Sequence, residues 1–378
     1  MKKELDMRGY YIHFDAKATP GVAKKIDMQI HEFSKTFEMQ EIDIKAQQVG
    51  TLKRAARLLP GGYIQWDYAA AFRQFKKDGA PDFVYIRKTT IDRGFVRFLS
   101  TIKQRFPDCK VLIELFTYPY DKDEFARRNT WPYYFKDKYN RNRLGGYVDR
   151  FVTYSVDEEI FGIKTICTMN GIDVEATKQV MPDENRTDDA IHMIAVAYMQ
   201  EHHGYERMIQ GIADYYEKGG RQNVVLHLVG DGPEKRKYEE QAQRLQLKEH
   251  VRFYPSTQGE ALDSLYNQAD MAVSSLGCYK KGVNRLSALK TRECLAKGLP
   301  MVTGCDVDVF LGTDYLYYVQ FPNDASSIDI DKVVKFYDGV IATQDRTEVI
   351  RAIRDFARRT VDMSVTMQPI VDYILRDS

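Results

Sequence analysis

The sequence lacks the loops by which nucleotides are most often recognised. No GxGxxG opens its first strand–helix unit and no GxxxxGK[ST] is present, so the dinucleotide fingerprint and the Walker A phosphate loop are both missing. Hydride transfer and ATP hydrolysis lose weight accordingly. An excess of one charge is missing too: 55 Lys and Arg against 54 Asp and Glu leave +1 at pH 7, which argues against a nucleic-acid binder held by phosphate contacts. The five cysteines, Cys109, Cys167, Cys278, Cys294 and Cys305, form no CxxC and have no histidine at zinc spacing. They read as reduced, structural thiols, with no metal site. No apolar run reaches the roughly 18 to 20 residues of a membrane span, and MKKELDMRGYYIHFDA is too weakly apolar for a signal peptide. The expectation is a cytoplasmic protein, at most peripheral at the inner face of a membrane.

What is present is length and alternation. At 378 residues, with 44% hydrophobic and 29% charged residues, the chain exceeds one ordinary core, and two domains meeting along a cleft are expected. Apolar runs at Ile191, Asn223, Val251, Met271 and Pro300 alternate with amphipathic stretches from Tyr205, Glu234, Glu260 and Leu289. That is the pattern of a parallel sheet covered on both faces, a Rossmann-like α/β domain. The first half repeats it less regularly, with strands from Tyr10, Asp82, Lys110 and Arg150. In its first helix Val22, Ile26, Ile30, Phe33 and Phe37 share one buried face, which turns Lys24, Lys25 and Asp27 outward. Asn170 to Arg186 carries turn residues and charge with little apolar periodicity, and reads as a linker able to hinge. The domains are therefore placed at 1–172 and 173–357, with 358–378 returning to the first.

Open α/β sheets bind ligands beyond the carboxyl ends of their strands, where helix N-termini offer free N–H groups. After the run at Met271 comes a loop with Lys280, Lys281, Gly282 and Arg285, then Ser287 and a helix bearing Lys290 and Glu293. Such a cluster can hold a diphosphate, and a glutamate one turn further on can accept two ribose hydroxyls. A solvated loop before an ordinary helix is the plain alternative. Gly21, at the start of the first helix, would let backbone approach a sugar diphosphate, or is a simple turn glycine.

SALKTRECLAKGLPMVTG, from Ser287, resembles the signature helix of family 4 glycosyltransferases of the GT-B fold. NGID at Asn170, HGYERMIQGI at His203, LVGDGPE at Leu228 and GEALDSLYNQAD at Gly259 agree in order. TPGVAKKI at Thr19 and ELFTYPYD at Glu114 resemble bacterial members that build surface polysaccharides. The resemblance implies two facing Rossmann-like domains with a C-terminal helix returning to the first. It implies retaining transfer of a sugar from a nucleotide-diphosphate sugar to a glycan or lipid-linked acceptor, with no cofactor and no metal. Glu293 resembles the family glutamate that binds ribose. Its partner would fall at Arg285, and the family's phosphate-binding cations fall near Gln200 or Glu201 and at His203, so Arg285 and Lys290 are expected to supply the charge.

The residues expected at the donor are thus Lys290, Arg285, Glu293, Ser287, Gly21, His203, Gly232, Ser256, Thr257, Gly259 and Glu260. Those expected on the acceptor side are Glu114, Thr117 and Tyr118. Phe125 to Arg143 interleaves cations with Trp131, Tyr133, Tyr134 and Phe135, which suits an anionic lipid interface or a helix burying its aromatics on the first sheet. The adjacent His202 and His203 are expected to diverge, and Asp306 to Asp308 to be a solvated acidic triplet. Two other functions stay open: a GT-B-fold epimerase of the nucleotide-sugar, and a catalytically silent glycosyltransferase-like scaffold.

Overall fold

The computed structural model describes residues 7–376 except 19, 49, 51–57, 60, 61, 65, 127–129 and 183–185. Thr19, Arg127 and Arg128 lie outside the described residues. The chain divides into two compact units, Met1–Met169 with Thr366–Ser378, and Asn170–Val365.

Unit 1 holds β1 (Arg8–His13), β2 (Glu38–Asp43), β3 (Phe83–Arg87), β4 (Lys110–Leu115), β5 (Arg150–Thr153), β6 (Glu159–Ile160) and β7 (Ile163–Cys167), in spatial order β2-β1-β3-β4-β5-β7-β6. All neighbours are parallel except β6 with β7. Strands β3 and β4 are buried almost throughout because helices cover both faces. The first helix, α1 (Pro20–Ser34), buries Ile26 and Phe33 as its spacing requires. It also turns Lys25 inward, at 3% exposure, against the outward placement read from the sequence, because an ion pair waits beneath it. Two helices from Tyr68–Asp78 (α2) and Arg93–Arg105 (α3) follow. Helix α3 starts where the Asp92 side chain accepts the Phe95 N–H at 3.0 Å, a cap worth about 1 kcal/mol. It packs Phe95, Phe98, Leu99 and Ile102 into the sheet. Asp121–Ala126 (α4) and Trp131–Asn140 (α5) complete the segment before β5.

Unit 2 is built on β8 (Ile191–Val196), β9 (Val224–Val229), β10 (Val251–Tyr254), β11 (Met271–Val273), β13 (Met301–Thr303) and β15 (Tyr318–Gln320), all parallel, in order β10-β9-β8-β11-β13-β15. Numbered from β8, that is the 3-2-1-4-5-6 order of a doubly wound sheet, whose direction of winding reverses between β8 and β11. A two-residue pair, β12 (Arg285–Leu286) with β14 (Asp306–Val307), lies apart from it. The helices are α6 (Tyr205–Glu217), α7 (Lys235–Arg244), α8 (Gly259–Asn267), α9 (Leu289–Lys297), α10 (Ile330–Phe336), α11 (Arg346–Thr360) and the start of α12 (Met363–Leu375). One sheet face and α6 enclose a core of Ile191, Met193, Leu226, Leu228, Met208 and Ile212. On the other face His192 Nδ1 and His227 Nε2 lie 2.8 Å apart, and His227 Nδ1 lies 3.0 Å from the Tyr254 hydroxyl.

The segment after Asn170 is a correction. Ile172, Val174 and Val180 are buried at 4% or less, and Arg354 donates to the carbonyls of Val174 and Thr177, both at 3.0 Å. Ile172 N–H donates to Val361 at 2.9 Å, and Val180 N–H to Lys297 at 2.9 Å. The segment is a strap fastened onto unit 2, with its apolar residues too irregularly spaced to show a period. The rest of α12 belongs to unit 1, where Lys110 Nζ donates to the carbonyls of Tyr373 at 3.3 Å and Ile374 at 2.8 Å.

Candidate functional site

The reversal point of the unit 2 sheet brings the loops after β8 and β11 into contact. Leu276 N–H donates to the His203 carbonyl at 2.8 Å. Gly204 and Gly277 touch so closely that a Cβ on Gly204, which has φ +64°, would stand 2.4 Å from the Gly277 nitrogen. Only glycine tolerates both the left-handed backbone and that approach. Arg207 on α6, buried at 2%, secures the contact by donating to Leu276 O and to Pro322 O, the latter at 2.9 Å. Beyond Gly277 a turn, Cys278–Lys281, is clamped by Asn323, which accepts from Tyr279 N–H at 2.8 Å and donates to Val283 O at 2.9 Å.

Into this junction comes Lys290, the second residue of α9. Its ammonium nitrogen is buried and has no hydrogen-bond partner, and it lies 5.9 Å from the centre of the Tyr205 ring. Burial pushes its pKa down to about 8. The sulfurs of Cys294, Cys278 and Cys305 oppose that fall and Lys281 adds to it. An ammonium in such a position lacks the acceptors that a structural lysine would have. His203 stacks on Tyr205 at 5.6 Å and 12°, and its Nδ1 accepts the Gln200 N–H at 2.9 Å, leaving the ring proton of the neutral form on Nε2. Burial, followed by Lys290, His202 and Lys281, pushes its pKa down to about 2. His202 is pushed to about 4 by burial, Lys281 and Lys290. The two rings do not diverge: a 3-10 turn, Glu201–His203, sets their centres 4.3 Å apart.

Around this centre the other expected residues separate. Ser287 Oγ accepts from Asn170 N–H and from Arg292, both at 3.1 Å, so it ties down the strap. Glu293 is half-buried one turn into α9, with no hydrogen-bond partner among the described residues. Arg285 is exposed on β12. The acidic triplet is not solvated. Asp308 is 6% exposed and takes both its oxygens to Arg292 at 2.6 Å, while Arg292 is fully buried and also donates to Asn170 O at 2.8 Å. Asp306 accepts from Gln320 at 2.8 Å. Sequence reasoning missed Arg292 because a charged residue within a helix reads as solvated, and its partner lies 16 residues on. Gly204 and Tyr205, within HGYERMIQGI, and Gly277, in the loop after β11, were in view but were given no site role, though the HG and LG pairs after β8 and β11 were the available signal.

Gly232 follows β9 with φ +137°, and a Cβ there would meet Met199 O at 2.4 Å. Ser256, Gly259 and Glu260 are exposed after β10, and Thr257 Oγ1 donates to Pro255 O at 2.8 Å. β10 is three strand spacings from β11, about 14 Å, so the structure groups these residues apart from Lys290.

In unit 1, Gly21 is exposed with nothing within 4 Å of a Cβ placed on it. Thr117 is exposed, and Tyr118 half-buried, its pKa raised by burial. Glu114 is fully buried and fully engaged: it accepts from Lys25 at 2.7 Å, Arg87 at 2.8 Å, Gln29 at 3.3 Å and the Tyr154 hydroxyl. Burial alone would raise its pKa, yet Lys25, Arg87 and these hydrogen bonds hold it at about 2. Of the aromatic segment, Tyr134 is buried, whereas Phe125, Phe135 and Tyr139 are 47%, 53% and 76% exposed. Phe125 stacks on Trp131 at 5.1 Å and 11°.

Two Rossmann-like units of parallel sheet, the first completed by the returning helix, define the GT-B fold. Residues 177–283 match the family model of glycosyl transferases group 1. A glycosyltransferase from Rickettsia africae is similar in structure over 99% of this chain and 100% of its own, with a TM-score of 0.64 at 12% identity. Anabaena HepE, solved in complex with UDP, is similar over 97% and 99% with a TM-score of 0.65 at 12% identity. The lipopolysaccharide outer core galactosyltransferase WaaB is similar over 98% and 100% with a TM-score of 0.59 at 14% identity. The chain matches no curated protein sequence.

Proposed function

We propose that the protein is a retaining glycosyltransferase that moves a sugar from a nucleotide-diphosphate sugar to a glycan or lipid-linked acceptor in cell-surface polysaccharide synthesis. The observation that carries this reading is the buried, unpartnered Lys290 ammonium where the loops after β8 and β11 meet. Transfer requires a departing diphosphate to be stabilised beside an oxocarbenium-like sugar, and a fixed cation in a dry site does that without reorganisation. Lys290 takes the diphosphate, with Lys281 and Arg285 adding charge from the loop. The Nε2–H of neutral His203 is a hydrogen-bond donor to the same ligand. Glu293, free of partners, accepts the ribose hydroxyls. The segment from Phe253 to Thr257 takes the base, and its distance of about 14 Å from β11 suits a nucleotide lying extended along the strand ends. These groups need no cofactor and no metal. The match of residues 177–283 to glycosyl transferases group 1 and the UDP complex of HepE support the reading.

Among the described residues no helix is long and apolar enough to cross a membrane. The exposed ledge of Phe125, Phe135 and Tyr139, with exposed Lys138 beside it, is proposed to touch an anionic membrane at the inner face, where a lipid-linked acceptor would be met.

A thermal-shift panel of nucleoside diphosphates and their sugars on wild type and Lys290→Ala tests the donor site. At least one should stabilise wild type by several degrees and leave Lys290→Ala unmoved. A panel that moves neither protein would sink the transferase and favour a silent scaffold.

A further inference from the structure

Cys278 and Cys305 have no part in donor binding as read above, yet they stand as a close pair of thiols beside it. Their sulfurs lie 3.0 Å apart, and both residues are 1% exposed. Both are free thiols. Cys278 opens the turn that carries Lys281, directly after Gly277. Cys305 stands between β13 and β14, where Thr303 Oγ1 donates to its carbonyl at 3.1 Å. Side-chain ties on the turn include the Asn323 clamp and the ion pair of Lys280 with Glu206. The sulfurs stand about 1 Å beyond the length of a disulfide bond.

We propose that Cys278 and Cys305 are a reversible disulfide site, oxidised by a peroxide, which staples the Lys281 turn to the end of β13 and tightens the hold on a nucleoside diphosphate. Cys278 is the attacking group. The hydrogen bond from Cys305 lowers its pKa against burial, and Lys290 and Lys281 assist, while the same contact raises that of Cys305. The Cys278 thiolate takes one oxygen of hydrogen peroxide to form a sulfenic acid, and the other oxygen leaves as hydroxide, which becomes water. The Cys305 sulfur then attacks the Cys278 sulfur, its proton leaves with the hydroxyl as a second water, and the S–S bond forms. Two thiols and one peroxide thus give one disulfide and two waters, the protein losing two electrons and the peroxide gaining them. The exposed outer side of the turn, at Lys281 and Gly282, is the route by which a small oxidant enters.

A turn held covalently presents Lys281 already ordered, so less freedom is lost on binding.

The coupling rests on the donor reading, whereas the disulfide does not, and the experiment separates them. Hydrogen peroxide is added to wild type, Cys278→Ser and Cys305→Ser, followed by intact mass, peptide mapping and melting. UDP is then titrated by calorimetry with and without dithiothreitol. Wild type should lose 2 Da, yield a peptide linking Cys278 to Cys305, melt on the order of 5 °C higher and bind UDP about fivefold tighter. Dithiothreitol should reverse all four, and neither variant should show any. Absence of the linked peptide in wild type overturns the site. A linked protein with unchanged UDP affinity overturns the coupling. If UDP binds neither form, the donor reading falls and the coupling with it, while mass and melting still decide the disulfide.

Discussion

Two lysines of this protein are both pushed by burial to a pKa of about 8, and their surroundings are opposite. Lys25 in unit 1 is paired with Glu114 at 2.7 Å and lies within a cluster of Arg87, Gln29 and Tyr154. Lys290 in unit 2 faces three cysteine sulfurs, a lysine and a tyrosine ring, with no acceptor on its nitrogen. One charge is compensated within the fold, and the other is held in readiness. The same depressed pKa therefore marks a structural group in one place and a binding group in the other, and only the hydrogen-bond inventory tells them apart.

Removing each lysine should separate the two roles. Lys25→Met removes one of the two cations paired with the buried Glu114 carboxylate, and should destabilise the protein by about 3–5 kcal/mol, read as a shift in the urea midpoint. Lys290→Ala should reduce transfer by about 10²–10³-fold, measured as turnover with the donor found in the panel, with the fold intact. If the two variants exchange phenotypes, the comparison is wrong.

Lys290 also carries a stability penalty with a definite sign. Its folded pKa lies below its unfolded value, so the unfolded chain binds more protons between about pH 8 and 10.5, and stability should rise with pH across that window. Lys290→Met at pH 7 should accordingly gain about 3 kcal/mol. Donor affinity of the wild type should fall as pH rises past about 8. A variant no more stable than wild type would show that the ammonium finds a partner after all.

At acid pH the histidines take over. Burial, with His192 and Arg252, pushes His227 to about 4. Stability from its neutral form is present above about pH 6.5 and is lost as pH falls towards 4, with about 2 kcal/mol gone by pH 5. His227→Gln should flatten that slope in melts between pH 7.5 and 5. Arg285→Ala should have the smallest effect, a few-fold loss of donor affinity, because the side chain is exposed and its charge screened by solvent.

The sheets of both units were legible wherever strands are buried on both faces, as in β3, β4, β8 and β9, because such strands are continuous apolar runs. β2 was not. It is an edge strand of sequence EMQEID with one buried residue, and nothing in that composition separates it from a loop. The position of Lys290 at a helix start was also legible, from strand, loop and helix order alone. What periodicity misjudged was polar residues turned inward by distant partners. Lys25 meets a glutamate 89 positions away, and Arg292 meets Asp308 across a turn of chain. An amphipathic pattern sorts residues by hydropathy, so a buried ion pair reads as two solvated ones. The strap escaped for a related reason, since its bonds run to α9 and α11, far along the chain.

The strap has a consequence for the order in which the chain becomes structured. Ile172 pairs with Asp362, and Met363 N–H returns to Ile172 O at 2.9 Å, so the first and last turns of unit 2 are neighbours. Unit 2 is in effect an insertion whose ends meet. During synthesis all of it has been made before Thr366–Ser378, the stretch that finishes unit 1 through Lys110. The half of the molecule begun first is thus the half completed last.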